Sequence, residues 1–258
     1  MKLIQNFLTN NPCYTADRKI KVKGLMLHSV GCPQPSASVF IKNWNRADYN
    51  KACVHAFIDA NTGTVYQTLP WEHRGWHGGG SSNNTHIGVE MCEPGCIKYT
   101  SGSTFTCSDM TAAREATERT YLAAVELFAM LCEKYSLDPL DPGVILSHKE
   151  GYARGIASNH GDPEHLWTQL DMPYTMDTFR KAIWVKMNEK EEVTEVRYNK
   201  ISEIPSYARE AIIKMVDNHY LNGGGGPKDE NGRPADLDLS LDMIRVFVVH
   251  DRAGMYDK

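Results

Sequence analysis

The tetrapeptide Ser147-His148-Lys149-Glu150, followed eleven residues later by Asp162-Pro163, stands out for its chemistry. Far upstream, His28 ends the apolar run Gly24-Leu25-Met26-Leu27. Two histidines and a carboxylate from distant segments are what a catalytic zinc site needs. Zinc takes nitrogen and oxygen ligands and keeps one position open for water. Water bound there falls to a pKa near ~7 and becomes a nucleophile at neutral pH. The pattern predicts a zinc hydrolase. His160, two residues before Asp162, is a competing ligand, and His165 is a weaker one.

The segments around these residues read as strands and helices that can make the donors converge. Lys21 to Val30 has strand character, with Leu25 and Leu27 on one face and Met26 and His28 on the other. Val54 to Asp59 and Thr64 to Thr68 flank the turn Asn61-Thr62-Gly63, a hairpin signal. His86 to Met91 and Gly143 to Ser147 are further strands. Helices are predicted near 36–45, from Asp109 as cap to about Tyr135, and from Met176 to Met187. Residues 1–20 read as an arm broken at Asn10-Asn11-Pro12. Strands interleaved with helices predict an α/β fold, a central mixed sheet flanked by helices with a zinc cleft. The histidines and Asp162 then fall at strand edges or on the loops that follow them.

At 258 residues the chain is comfortable for two domains. Its formal net charge of −4, with no Lys/Arg block, gives no sign of a nucleic-acid partner. No apolar run approaches the roughly 18 residues of a membrane span. The N-terminus is too short and polar for a secretory signal, so synthesis in the cytoplasm is expected. Seven cysteines without paired CxxC spacing read as small buried hydrophobes. Gly78-Gly79-Gly80-Ser81-Ser82 lacks the lysine ending of a phosphate loop.

Six stretches in order resemble the type-2 N-acetylmuramoyl-L-alanine amidases, the group of phage endolysins and peptidoglycan-recognition proteins. They are Leu27-His28-Ser29; Val54-His55-Ala56-Phe57-Ile58 with Asn61 to Tyr66; Arg74-Gly75-Trp76-His77-Gly78-Gly79; Ile87-Gly88-Val89-Glu90; Ser147-His148-Lys149-Glu150; and Asp162-Pro163. The resemblance covers roughly residues 20–170. It implies His28, His148 and Asp162 as zinc ligands, the Asp-Pro match favouring Asp162 over His160. It implies Glu90 as general base and acid, His77 and Trp76 at the substrate, and cleavage of the amide between N-acetylmuramic acid and L-alanine. At His160 many members carry a lysine that steadies the oxyanion; an imidazole there can do the same with more pH sensitivity. Some members also place a catalytic tyrosine before the hairpin histidine, where this chain has Val54. His55 then faces the sheet or the cleft rim, and Trp71 and Trp76 either stack on substrate or pack in the core.

Residues 1–187 are thus expected to form the catalytic domain, 188–196 a charged linker, and 197–258 a small, mainly helical module. Helices are predicted over Tyr207–Tyr220 and after Ser240, with Leu241, Met243, Ile244 and Phe247 or Val248 as the second apolar face. The module resembles those appended to phage amidases, which implies cell-wall binding. Self-association into a homo-oligomer is the alternative, because two short helices bury little core. The expected whole is a phage or prophage endolysin that reaches peptidoglycan after release. A non-catalytic peptidoglycan-binding protein and a cytoplasmic muropeptide-recycling amidase are the alternatives. All three ligands being present argues against the first, and the appended module against the second.

Overall fold

The computed structural model describes residues 1–189 and 196–256. The chain divides into two compact units, Met1–Glu189 and Lys190–Lys258. The linker expected over 188–196 lies mostly outside the described residues. Helix α6 (Met176–Asn188) carries the first unit to its end.

The first unit is built on a six-stranded mixed sheet. Its strands are β1 (Leu3–Gln5), β2 (Gly24–Ser29), β3 (Ala56–Ile58), β4 (Val65–Gln67), β5 (His86–Met91) and β8 (Ile145–Ser147), in the order β1-β4-β3-β5-β2-β8. Next to one edge, β2 lies parallel to both β5 and β8. Strands β3 and β4 form the expected antiparallel hairpin. The N-terminal residues differ from expectation: β1 pairs in parallel with β4, Leu3 opposite Val65, and closes the sheet edge. Three residues are too few to show a period, so only the pairing partner reveals this strand. A one-turn helix, α1 (Pro12–Thr15), follows at the predicted break, with Asn11 as its cap.

The two faces of β2 explain its all-apolar reading. Leu25 and Leu27 join the main core under the long helix α3 (Met110–Tyr135), with Ala124, Phe128 and Leu131. Asp109 caps α3 by accepting from Ala112 N at 3.0 Å. Helix α6 packs beside it, with Phe128 and Phe179 rings 5.2 Å apart. Each fully buried side chain of this size contributes about 1.5–3 kcal/mol of hydrophobic stabilisation. The opposite face carries Met26 and His28 toward the loops. A second helix, α2 (Ala37–Trp44), follows β2.

An additional hairpin, β6 (Ile97–Ser101) and β7 (Thr104–Cys107), turns through Gly102 at φ +53°. Only Ile97 and Phe105 of it are buried, so its sequence lacks a readable apolar alternation. Short helices α4 (His148–Ala153) and α5 (Glu164–Gln169) follow β8.

The second unit has its own core, with Ile204, Ile212, Met215, Leu239 and Ile244 among its residues. Its helices are α7 (Arg209–Asp217) and α8 (Leu241–Arg252), and β9 (Arg197–Tyr198) pairs with β10 (Leu239–Ser240). Ser240 caps α8 through Met243 N at 3.1 Å. Ile244 and Val248 form the buried face of α8, whereas Met243 is exposed. Among the described residues no helix is long and apolar enough to cross a membrane.

Candidate metal centre and active site

Parallel strands bring the site together at their carboxyl ends, the usual place for a ligand crevice in such sheets. His28 and Glu90 are register partners on β2 and β5, so their side chains project to the same face as neighbours. Ser147 pairs with Leu27 and ends β8, placing His148 one residue beyond the sheet. The tetrapeptide's flanks hold that turn. Ser147 Oγ accepts from Glu150 N at 3.0 Å, and Glu150 Oε2 accepts from Ser147 N at 3.1 Å. This capping box starts α4 at His148. Arg180 of α6 donates to both Glu150 oxygens at 2.9 Å. Glu150 is therefore committed to holding the helix start.

His28, His148 and Asp162 converge. His28 Nδ1 lies 3.1 Å from His148 Nδ1 and 3.2 Å from Asp162 Oδ2, and His148 Nδ1 lies 3.6 Å from Asp162 Oδ1. Ligands around a tetrahedral zinc, at bond lengths of about 2.0–2.1 Å, stand about 3.3 Å apart. Among the described residues this is the one group of three or more such side chains whose donor atoms cluster closely enough to hold a metal ion.

The protons of the neighbouring groups test the fit. The His86 carbonyl can only accept, so His77 Nε2, 3.0 Å away, carries a proton. His77 Nδ1 then accepts from His28 Nε2 at 3.0 Å. His28 Nδ1 is turned to the cluster; burial works against a charge on this ring, but Asp162 and Glu90 outweigh it and raise its pKa. On the other side, the Ser158 hydroxyl donates to the Gly78 carbonyl at 3.4 Å and accepts from His148 Nε2 at 3.1 Å. His148 Nδ1 is thereby turned to the cluster. Burial holds His148 low, to about 4, with His28 adding to the effect. Two imidazole nitrogens and a carboxylate facing one another, with acidic groups favouring positive charge on His28, suit a cation at their centre.

Glu90 stands beside this cluster. Its Oε2 is buried with no hydrogen-bond partner. Burial pushes its carboxyl up to about 8, against the opposing pull of His28. A cleft of ≈ 1070 Å³ opens above, lined by His28, Glu90, His148, Asp162, Trp76 and His160, among others.

The remaining expected residues separate. His160 is exposed and lies beyond His148, its Nδ1 3.2 Å from His148 Nε2 and 3.1 Å from Ser158 Oγ. It is not in the three-donor cluster. His165 is also outside it, with Nε2 2.7 Å from Tyr99 Oη. Trp76 is 51% exposed at the cleft, while Trp71 packs against the main core. His77, expected at the substrate, has both ring nitrogens engaged by protein. Burial and the nearby His28 hold it well below the usual histidine range, hence neutral. His55 is fully buried, with Nδ1 accepting from Gly88 N at 3.0 Å and Nε2 donating to the His73 carbonyl at 2.8 Å. Val54 is fully buried too.

Two residues of this arrangement escaped sequence reasoning. Ser158 belongs to no motif and is recognisable only by its distance to His148. Gly88 did lie within a matched stretch, and its reason is steric: a Cβ there would stand 2.3 Å from the His77 ring.

Fold and site together are those of a hydrolase that acts on an amide. The chain belongs to the N-acetylmuramoyl-L-alanine amidase family, whose model (Amidase_2: N-acetylmuramoyl-L-alanine amidase) matches residues 18–165. It is accordingly an amidase of peptidoglycan. The crystal structure of Staphylococcus aureus hydrolase AmiA in complex with its ligand is similar at TM-score 0.55 and 19% identity, over 72% of this chain and 83% of that one. The solution structure of the PlyG catalytic domain is similar at TM-score 0.50 and 14% identity, over 75% of this chain and 100% of that one. At these identities the likeness is one of fold. No curated protein sequence matches the chain.

Proposed function

We propose that the chain is a zinc-dependent endolysin of a phage or prophage, which cleaves the amide between the lactyl group of N-acetylmuramic acid and L-alanine. The observation that carries the reading is the trio of donor atoms on His28, His148 and Asp162, 3.1–3.6 Å apart. A zinc ion held by them would polarise the scissile carbonyl and make water nucleophilic at neutral pH.

The chain's own residues do the rest. Glu90 takes the proton of the attacking water and passes it to the amide nitrogen, which must leave as an amine. Its partnerless, buried oxygen and its raised pKa suit a group that both accepts and donates. A cation beside it draws that pKa back toward neutrality, where such a group works best. His160, exposed at the cleft with no Nε2 partner among the described residues, steadies the oxyanion from the substrate side. His77 fixes the tautomer and ring plane of His28. Trp76 offers an exposed indole face to sugar or peptide.

The second unit is read as a cell-wall-binding module. An enzyme acting on an insoluble polymer gains effective concentration from a tether, without any new catalytic contact. Its separate core supports a module that folds around its own residues.

Digestion of purified cell wall with the full chain and zinc tests the reading. New N-terminal alanine is the expected product, with one zinc per chain. Reducing sugar ends in place of alanine would sink the bond assignment, and wild-type protein without zinc uptake would sink the metal centre.

A further inference from the structure

The hairpin β6–β7 lies outside the central sheet, yet it is tied to the site at two places. On β6, Tyr99 Oη stands 2.8 Å from Glu93 Oε2 and 2.7 Å from His165 Nε2. At its tip, Gln169 Nε2 donates to the Ser103 carbonyl at 2.6 Å, and Phe105 N donates to Gln169 Oε1 at 3.0 Å. His165 and Gln169 are four residues apart and share one face of α5. The hairpin is thereby latched along the helix that begins directly after Asp162-Pro163.

The Tyr99 latch gathers Glu93 and His165 around one hydroxyl. Glu93 is wholly buried, and its Oε1 accepts from Gly31 N at 3.0 Å. Its other oxygen takes the only proton Tyr99 has. The Tyr99 oxygen in turn accepts from His165 Nε2. The anchor points follow one rule: Gly31, Glu93 and His165 each stand three residues beyond His28, Glu90 and Asp162 respectively. One phenol thus joins the chain just past both β-strand residues of the site to the chain just past the third donor.

We propose that Tyr99 is a positioning residue for Asp162, holding α5 and the preceding loop at the distance from β2 and β5 that the donor trio requires. The inference rests on the metal centre proposed for His28, His148 and Asp162. Without the hydroxyl, Glu93 Oε2 and His165 Nε2 lose their common partner while His165 Nε2 stands 4.0 Å from Glu93 Oε1, too far to bond directly, a costly state that a shift of α5 relieves. The Asp162 oxygens move with that shift, and donor geometry is what metal affinity senses.

Tyr99→Phe in the full chain tests this, because the ring and its packing on Phe105 are kept. Zinc dissociation measured by chelator competition should weaken about tenfold, with kcat reduced and KM within twofold of wild type. Tyr207→Phe, an exposed tyrosine of the second unit, should leave zinc affinity unchanged. Gln169→Ala breaks the tip latch and should weaken zinc in the same direction, which keeps the test open should Tyr99→Phe misfold. Wild-type protein that takes up no zinc removes the metal centre and this inference with it. Wild-type uptake with both latch variants within twofold of it overturns the inference alone, whatever happens to Tm.

Discussion

His77 Nδ1 lies 3.0 Å from His28 Nε2, while His77 Nε2 lies 3.0 Å from the His86 carbonyl. The carbonyl fixes the first proton, and the first proton fixes the second. His77, expected at the substrate, is thus the ring that accepts from His28 Nε2 and leaves Nδ1 turned to His148 and Asp162. His77→Ala should weaken zinc binding about 10–100-fold, as loss of a ligand's supporting hydrogen bond commonly does. It should lower kcat and leave KM nearly unchanged. A rise in KM with normal zinc affinity would instead make His77 a substrate contact.

Gly88 is tied to that same ring. A Cβ at this position would stand 2.3 Å from it. Neither the strand nor a buried imidazole can yield easily, so Gly88→Ala should destabilise by about 1–3 kcal/mol. Chemical denaturation gives that number. Zinc affinity should fall alongside it, because the displaced ring is the one holding His28.

His160 and Asp162 are two residues apart but stand on different sides of His148. Asp162→Ala and His148→Ala should each abolish stoichiometric zinc in metal analysis. His160→Ala should keep the zinc and lose about 10²–10³-fold in kcat, the size of a lost oxyanion donor. Loss of zinc from His160→Ala would move it into the ligand set.

Glu90→Gln should retain zinc and lose about 10²–10⁴-fold in kcat. Its effect on the metal-free protein depends on pH. The folded carboxyl is raised from 4.5 to about 8 by burial. Between those values the folded chain holds a proton that the unfolded chain has released. The group's contribution to stability therefore falls as pH rises through that window. At pH 8 the chelated Glu90→Gln protein should be more stable than chelated wild type, by about 1.4 kcal/mol for every tenfold difference in proton affinity between the folded and unfolded carboxyl. Below pH 4.5 the two should be equally stable. Melting curves at the two pH values check the sign. Glu93, raised to about 7 by burial, slopes the same way but is common to both proteins.

Removing the second unit after Glu189 should leave turnover of soluble muropeptides within about twofold, since tethering adds no catalytic contact. Clearing of intact wall should drop at least about tenfold, with loss of wall pull-down. Equal clearing by the shortened chain would remove the wall-binding role.

Much of this protein was legible from residue types and local order. Asp109 and Ser240 mark helix starts because a short polar side chain satisfies free backbone amides wherever it stands, and both caps form. The hairpin around Asn61-Thr62-Gly63 follows from turn chemistry, and the alternation of Leu25, Met26, Leu27 and His28 follows from the strand period. The grouping of His28, His148 and Asp162 could be anticipated because ligand chemistry restricts residue type, and the three do cluster. What the sequence could not hold was anything defined by a distance across the fold. The strand Leu3–Gln5 exists through its partner β4. The roles of His77 and His55 depend on which carbonyls and amides the sheet sets before their nitrogens. Glu150 serves a helix cap and Arg180 because β8 ends at Ser147, three residues before it. The choice between His160 and Asp162, close in sequence, turns on which side of His148 each side chain reaches. Tertiary packing decides such matters because hydrogen bonds and metal ligation respond to tenths of an ångström, and those are settled only when the strands have found their register.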